Sequence, residues 1–125
     1  MNTVLSKVVV TGGFFLFIFL FGFILSRSGK PYPALLFNIH KLIALGALVF
    51  LGVMVYNIHR AAALSPAHIG LVVFTGLCFV VTIIAGGLLN IDKSPAFLAV
   101  IHRFSPYLTL LATAATLYFL LGRTD

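Results

Sequence analysis

Hydrophobic positions in this chain run in blocks and do not alternate with polar ones. Four near-continuous apolar stretches cover roughly 4–26, 35–58, 67–90 and 95–121, and short segments rich in Ser, Pro, Gly and basic residues separate them. Each stretch approaches or exceeds the ~20 residues a helix needs to cross hydrocarbon. Links of about 4 to 8 residues join neighbours most simply as antiparallel helices, so the pattern predicts an all-α, four-transmembrane-helix antiparallel bundle forming a single membrane domain over residues 1–125.

Composition agrees. The 125 residues are 62% hydrophobic, carry two acids and have a mean hydropathy of +1.20, which leaves too little polar surface for a water-soluble domain. The first stretch is too long for the ~7 to 15 apolar residues of a secretory signal and ends in Ser26-Arg27-Ser28 without a small-x-small cleavage pattern, so it reads as a retained span. The formal charge of +6 suits membrane interfaces and lipid head groups rather than nucleic acid. The one cysteine, Cys78, excludes both an internal disulfide and a Cys-x-x-Cys-His haem attachment, and its place in the middle of the third stretch makes it a packing residue.

Prolines mark three helix starts. Ser65-Pro66 and Ser94-Pro95 each place a capping hydroxyl before a proline at the first helical position, and Pro33 after Tyr32 does the same. Side B denotes the face holding residues 27–34, and side A the face holding both termini and residues 59–66. His40 follows Pro33 by seven residues and His102 follows Pro95 by seven, so both histidines sit about 10 Å along helices that run in the same direction. An ionisable side chain inside a span is costly and is read first as functional. Two at one depth point to a bis-histidine b-type haem, held non-covalently with His40 and His102 on the iron.

The surroundings extend that expectation. Ala44 and Ala47 lie on the His40 face of the second helix; Ser105, Thr109, Thr113 and Thr116 lie on the His102 face of the fourth. Gly22 on the first helix and Gly86 and Gly87 on the third fall at similar depth, so all four helices are expected to thin out at one level and leave room for a porphyrin. Close helix approach without a cofactor uses small residues in the same way. Lys41 and Arg103 directly follow the two histidines and are candidate partners for haem propionates, with Arg27, Lys30 and Lys93 as alternatives; head-group snorkelling is the competing role. Pro106, four residues after His102, removes the hydrogen bond to the His102 carbonyl and bends the helix beside it.

His59 and His68 flank the short side A link and would form a second haem site only if brought together; with Tyr118 and no histidine at that depth on the fourth helix, they read as interfacial residues, able to serve proton movement to a quinone. Four histidines divided between two ends do not make one zinc site, and Asp92 and Asp125 are too few for a carboxylate centre. No phosphate-binding loop or nucleophile elbow appears, so hydrolysis has no support.

The run His40-Lys41-Leu42-Ile43-Ala44-Leu45-Gly46, with a late histidine at His102, resembles the cytochrome b561 family. The resemblance implies a four-helix membrane core that holds b haem between histidines and exchanges electrons with a quinone or a partner subunit. Histidines on the second and fourth helices are also similar to one half of haem A synthase, but Leu36 and Phe37 stand where that family's acid would precede His40. The resulting expectation is a small membrane b-type cytochrome with one haem, acting as an oxidoreductase or electron-transfer subunit in a bacterial or organellar inner membrane. Its termini are expected on the non-cytoplasmic side, and a partner membrane protein or a second copy beside it. The alternative is a cofactor-free or pigment-binding structural subunit of a larger respiratory or photosynthetic complex, for which the six phenylalanines of the first helix would supply lipid or partner contact. A transporter would require a polar pathway, and the Ser/Thr stripe of the fourth helix is the one candidate.

Overall fold

The computed structural model describes residues 3–91 and 93–123. It is all-helical, with four helices: α1 (Thr3–Ser28), α2 (Ala34–Ala61), α3 (Pro66–Leu88) and α4 (Ala96–Leu121). Each is long and apolar enough to cross a membrane. Large apolar side chains cover the outside, among them Leu16, Phe23, Leu42, Val49, Leu77, Phe104 and Leu111, as expected for a surface that faces lipid and not water.

The helix starts depart in detail from the proline expectation. Pro66 is the first residue of α3, and the Ser65 hydroxyl accepts a hydrogen bond from the His68 N–H at 3.2 Å. Pro33 and Pro95 instead stand one position earlier, as the capping residues of α2 and α4, and neither start has a side-chain cap. Ser94 is engaged elsewhere, accepting from Lys30 Nζ at 2.9 Å. Both prolines shift by the same one step, so the equal spacing of His40 and His102 from their helix starts survives. Pro106 is accommodated inside a continuous α4.

Packing is uneven around the bundle. α3 packs most extensively on α4 and α1 on α2; α2 meets α3 and α1 meets α4 more sparingly. The molecule is thus two well-packed helix pairs joined along a thinner seam. Aromatic and aliphatic side chains dominate the central core, where Phe15, Ala47, Leu51, Met54 and Phe79 are buried together. At one end Lys30, between α1 and α2, reaches Ser94 and the Ile91 carbonyl, between α3 and α4. At the other, the Arg123 guanidinium donates to the carbonyls of Ala62 and Ala63 in the α2–α3 link.

Candidate functional site

The seam brings His40 and His102 together. Their ring centroids are 6.5 Å apart and the ring planes are nearly perpendicular, at 84°. Each ring also lies on a glycine of its own pair. A Cβ at Gly22 would come 3.2 Å from Cε1 of His40, and one at Gly86 would come 2.5 Å from Cε1 of His102. α1 therefore provides a notch for the α2 histidine, and α3 a notch for the α4 histidine.

The two imidazoles differ in how they are held. His102 Nδ1 is 3.0 Å from the Thr82 carbonyl. A carbonyl only accepts, so Nδ1 carries the proton in this contact, and the Nε2 lone pair is the ring's available donor to a metal. The His40 ring lies against the Ile18 backbone of α1, and its Nδ1 is buried without a hydrogen-bond partner. A buried polar atom left unpaired is costly and calls for a reason.

The ring spacing is close to that of two imidazoles sharing one iron. With metal–nitrogen bonds of about 2 Å on either side, and each nitrogen about 1 Å from its ring centre, ligated rings would be centred about 6 Å apart. One ring has its tautomer set by a second hydrogen bond, the usual arrangement for a metal-binding histidine. Among the described residues no three His, Cys, Asp or Glu side chains converge; Asp92 and Asp125 lie outside those residues.

The remaining predicted neighbours divide. Ala44 borders a small cavity beside the pair, together with Ile18, Phe19, Thr82, Pro106 and Thr109. Its volume is about 30 Å³, enough for a water or two and far short of a porphyrin. In this structure the imidazoles themselves fill the space that Gly22 and Gly86 leave. Gly87 is exposed, and a Cβ there would meet nothing within 4 Å. Ala47 is buried in the phenylalanine core. Lys41 and Arg103 are exposed, with Lys41 Nζ 5.5 Å from the Phe37 ring centre. Successive residues point about 100° apart on a helix, which turns both cations away from the seam that the histidines face.

The Ser/Thr stripe of α4 also has a different role from the one expected. Thr82 Oγ1 lies 2.9 Å from Ser105 Oγ and 3.1 Å from Thr109 Oγ1, and Thr75 Oγ1 lies 2.9 Å from Thr116 Oγ1. The stripe faces α3 and holds the α3–α4 pair by hydroxyl contacts. Thr113, 1% exposed, has a hydroxyl without a partner. Sequence reading identified these hydroxyls but not their partners Thr75 and Thr82. Their occurrence seven residues apart on α3, facing Ser/Thr positions on α4, was the signal for them.

His59 and His68 are not brought together as a ring pair. His59 Nδ1 accepts from the Leu64 N–H at 3.1 Å, folding the end of α2 onto the link. His68 packs against Phe119 of α4, 6.4 Å between ring centres. Cys78 is buried, and its carbonyl accepts from Thr82 Oγ1 at 2.7 Å. No family model, curated protein or solved structure matches the chain.

Proposed function

We propose that this protein is an antiparallel four-helix membrane b-type cytochrome, in which His40 and His102 hold one haem and pass electrons to or from a quinone or a partner redox subunit. The observation that supports this reading is the 6.5 Å approach of two imidazoles from helices that otherwise share little packing. Haem bound there supplies a one-electron iron couple inside an apolar bundle. Thr82 orients the His102 ring, while Gly22 and Gly86 let both rings lie close to the neighbouring helices. His40 and His102 would together hold the iron and leave it no open position, which would favour electron transfer over chemistry on bound oxygen. A porphyrin held there would need the small cavity beside the pair to widen.

A second reading rests on the same site. A cavity of only about 30 Å³ favours a cofactor-free membrane subunit in which the histidine pair is a packing and hydrogen-bonding element. Oxidised and reduced absorption spectra of protein expressed with ample haem separate the two. A Soret shift on reduction with narrow α and β bands, lost in both His40→Ala and His102→Ala and kept in His59→Ala, is the expected result. A colourless, folded preparation would overturn the haem reading.

A further inference from the structure

At the end of the molecule that carries the α2–α3 link, a second and larger recess opens between α2 and α3. It has a volume of about 330 Å³ and is lined by Gly52, Val55, Tyr56, His59, Leu64, Ile69 and Val72. From His40 to His59 is about five helical turns along α2, so this cleft is remote from the histidine pair and independent of what the pair binds. Its walls are apolar and open outward: Tyr56 is 60% exposed and Ile69 42%.

Two polar features stand at its upper edge. His59 uses Nδ1 to accept the Leu64 N–H, so the neutral ring carries its proton on Nε2 and offers one N–H donor beside the cleft. The Arg60 guanidinium lies 5.8 Å from the centre of the Tyr56 ring, which forms part of the lining, and so fixes a cation beside it. The chain has eight Lys and Arg against two acids, so most of its cations must find anions outside the protein.

We infer that this cleft binds one anionic phospholipid: an acyl chain along the Gly52–Val55–Val72 surface, an ester carbonyl on His59 Nε2–H, and the phosphate at Arg60. The ordering of the site matches that of a lipid entering from the interface, with the Arg60 cation outermost, the His59 donor next and the apolar groove beneath. A quinone head would use the donor and the groove but would leave the cation without an anion. The inference rests on the membrane reading and not on haem.

Gly52 lines the groove and a Cβ there meets nothing within 4 Å, so a leucine at this position starts from open space and adds bulk at the groove wall. Native mass spectrometry of the whole chain in detergent, with dioleoyl phosphatidylglycerol or phosphatidylcholine added, reads occupancy. Phosphatidylglycerol should be retained preferentially, and Arg60→Gln should weaken it about fivefold, the factor one basic residue contributes near a membrane surface, while leaving phosphatidylcholine unchanged. Gly52→Leu should reduce both lipids. An ether-linked phosphatidylglycerol, which lacks the carbonyls, should bind the native chain more weakly than the ester form and bind His59→Ala equally in either form. Arg27→Gln, at the other end of the molecule, is the control for general charge attraction. An unchanged lipid preference in Arg60→Gln, an equal loss in Arg27→Gln, or stoichiometric decylubiquinone that neither lipid displaces would overturn the site. Release of the native chain from membranes by alkaline carbonate would instead overturn the membrane reading itself.

Discussion

The two helix pairs solve one problem with different materials. α1 and α2 meet through rings, with Phe14 against Phe50 and a phenylalanine edge on Gly46; α3 and α4 meet through hydroxyls, with Thr75 on Thr116 and Thr82 on Ser105 and Thr109. In each pair one helix offers a glycine as a bed for the other's histidine. The difference lies in what fixes the ring. His102 is tied to the Thr82 carbonyl, whereas His40 keeps a buried, unpaired Nδ1. His102 is thus held by a backbone carbonyl of its own helix pair, and His40 by packing and its contact with the Ile18 backbone. In a membrane, where lipid tails compete equally for apolar contact, a hydrogen bond is the interaction that distinguishes one helix partner from another.

The largest test of this contrast removes a ring. On the haem reading, His40→Ala and His102→Ala each abolish the bis-histidine spectrum. They should differ in the apoprotein: His102→Ala leaves the Thr82 carbonyl without its side-chain partner, so it should lower the thermal midpoint more than His40→Ala does. Equal losses would break the contrast.

Next in size is the pair of glycine substitutions. Gly86→Ala drives a methyl to 2.5 Å from a ring that cannot turn without giving up its hydrogen bond, and should destabilise by about 1 to 3 kcal/mol in denaturant titration in micelles. Gly22→Ala meets its ring at 3.2 Å, a milder approach, so the loss should stay below about 1 kcal/mol. Reversal of the order would show that His40 is the more rigid of the two.

Smaller effects are expected from the hydroxyls. Thr75→Val and Thr82→Val should each cost about 0.6 kcal/mol, typical of a side-chain hydrogen bond between membrane helices. Thr82→Val leaves the Thr82 carbonyl in place, so it should not release His102, which a ¹⁵N-histidine spectrum would report through an unshifted Nδ1. The smallest effect belongs to Gly87→Ala. With nothing within 4 Å of the added methyl and a residue of higher helix propensity, stability should hold or rise slightly. A loss like that of Gly86→Ala would mean that both glycines pack against the seam.

Much of the outline is visible in one dimension because the bilayer criterion is one-dimensional. Length and apolarity alone identify four helices able to span a bilayer, and the observed helices differ from the predicted stretches by at most three residues at any end. The depth match of His40 and His102 is equally legible, since it depends on rise per residue from two similar helix starts. Facing direction is harder. Lys41 is adjacent to His40 in sequence and turned away from its face in space, and Gly87 beside Gly86 points outward. The Thr stripe was read from its residue type and position as a lining for a cofactor, yet its partners on α3 are some 20 to 40 residues distant in sequence.

The sequence alone determined that four helices are long and apolar enough to cross a membrane and how far along its helix each polar group lies, because hydropathy, helix rise and proline placement act locally along the chain. Tertiary structure alone decided which groups meet: that the histidines face one another across a seam, that imidazoles and not a void occupy the glycine notches, and that His59 and His68 turn to different helices. Those outcomes depend on the rotation of each helix about its axis and on which pairs pack tightly. An α1 that is apolar on every side carries almost no information about that rotation until its neighbours are in place.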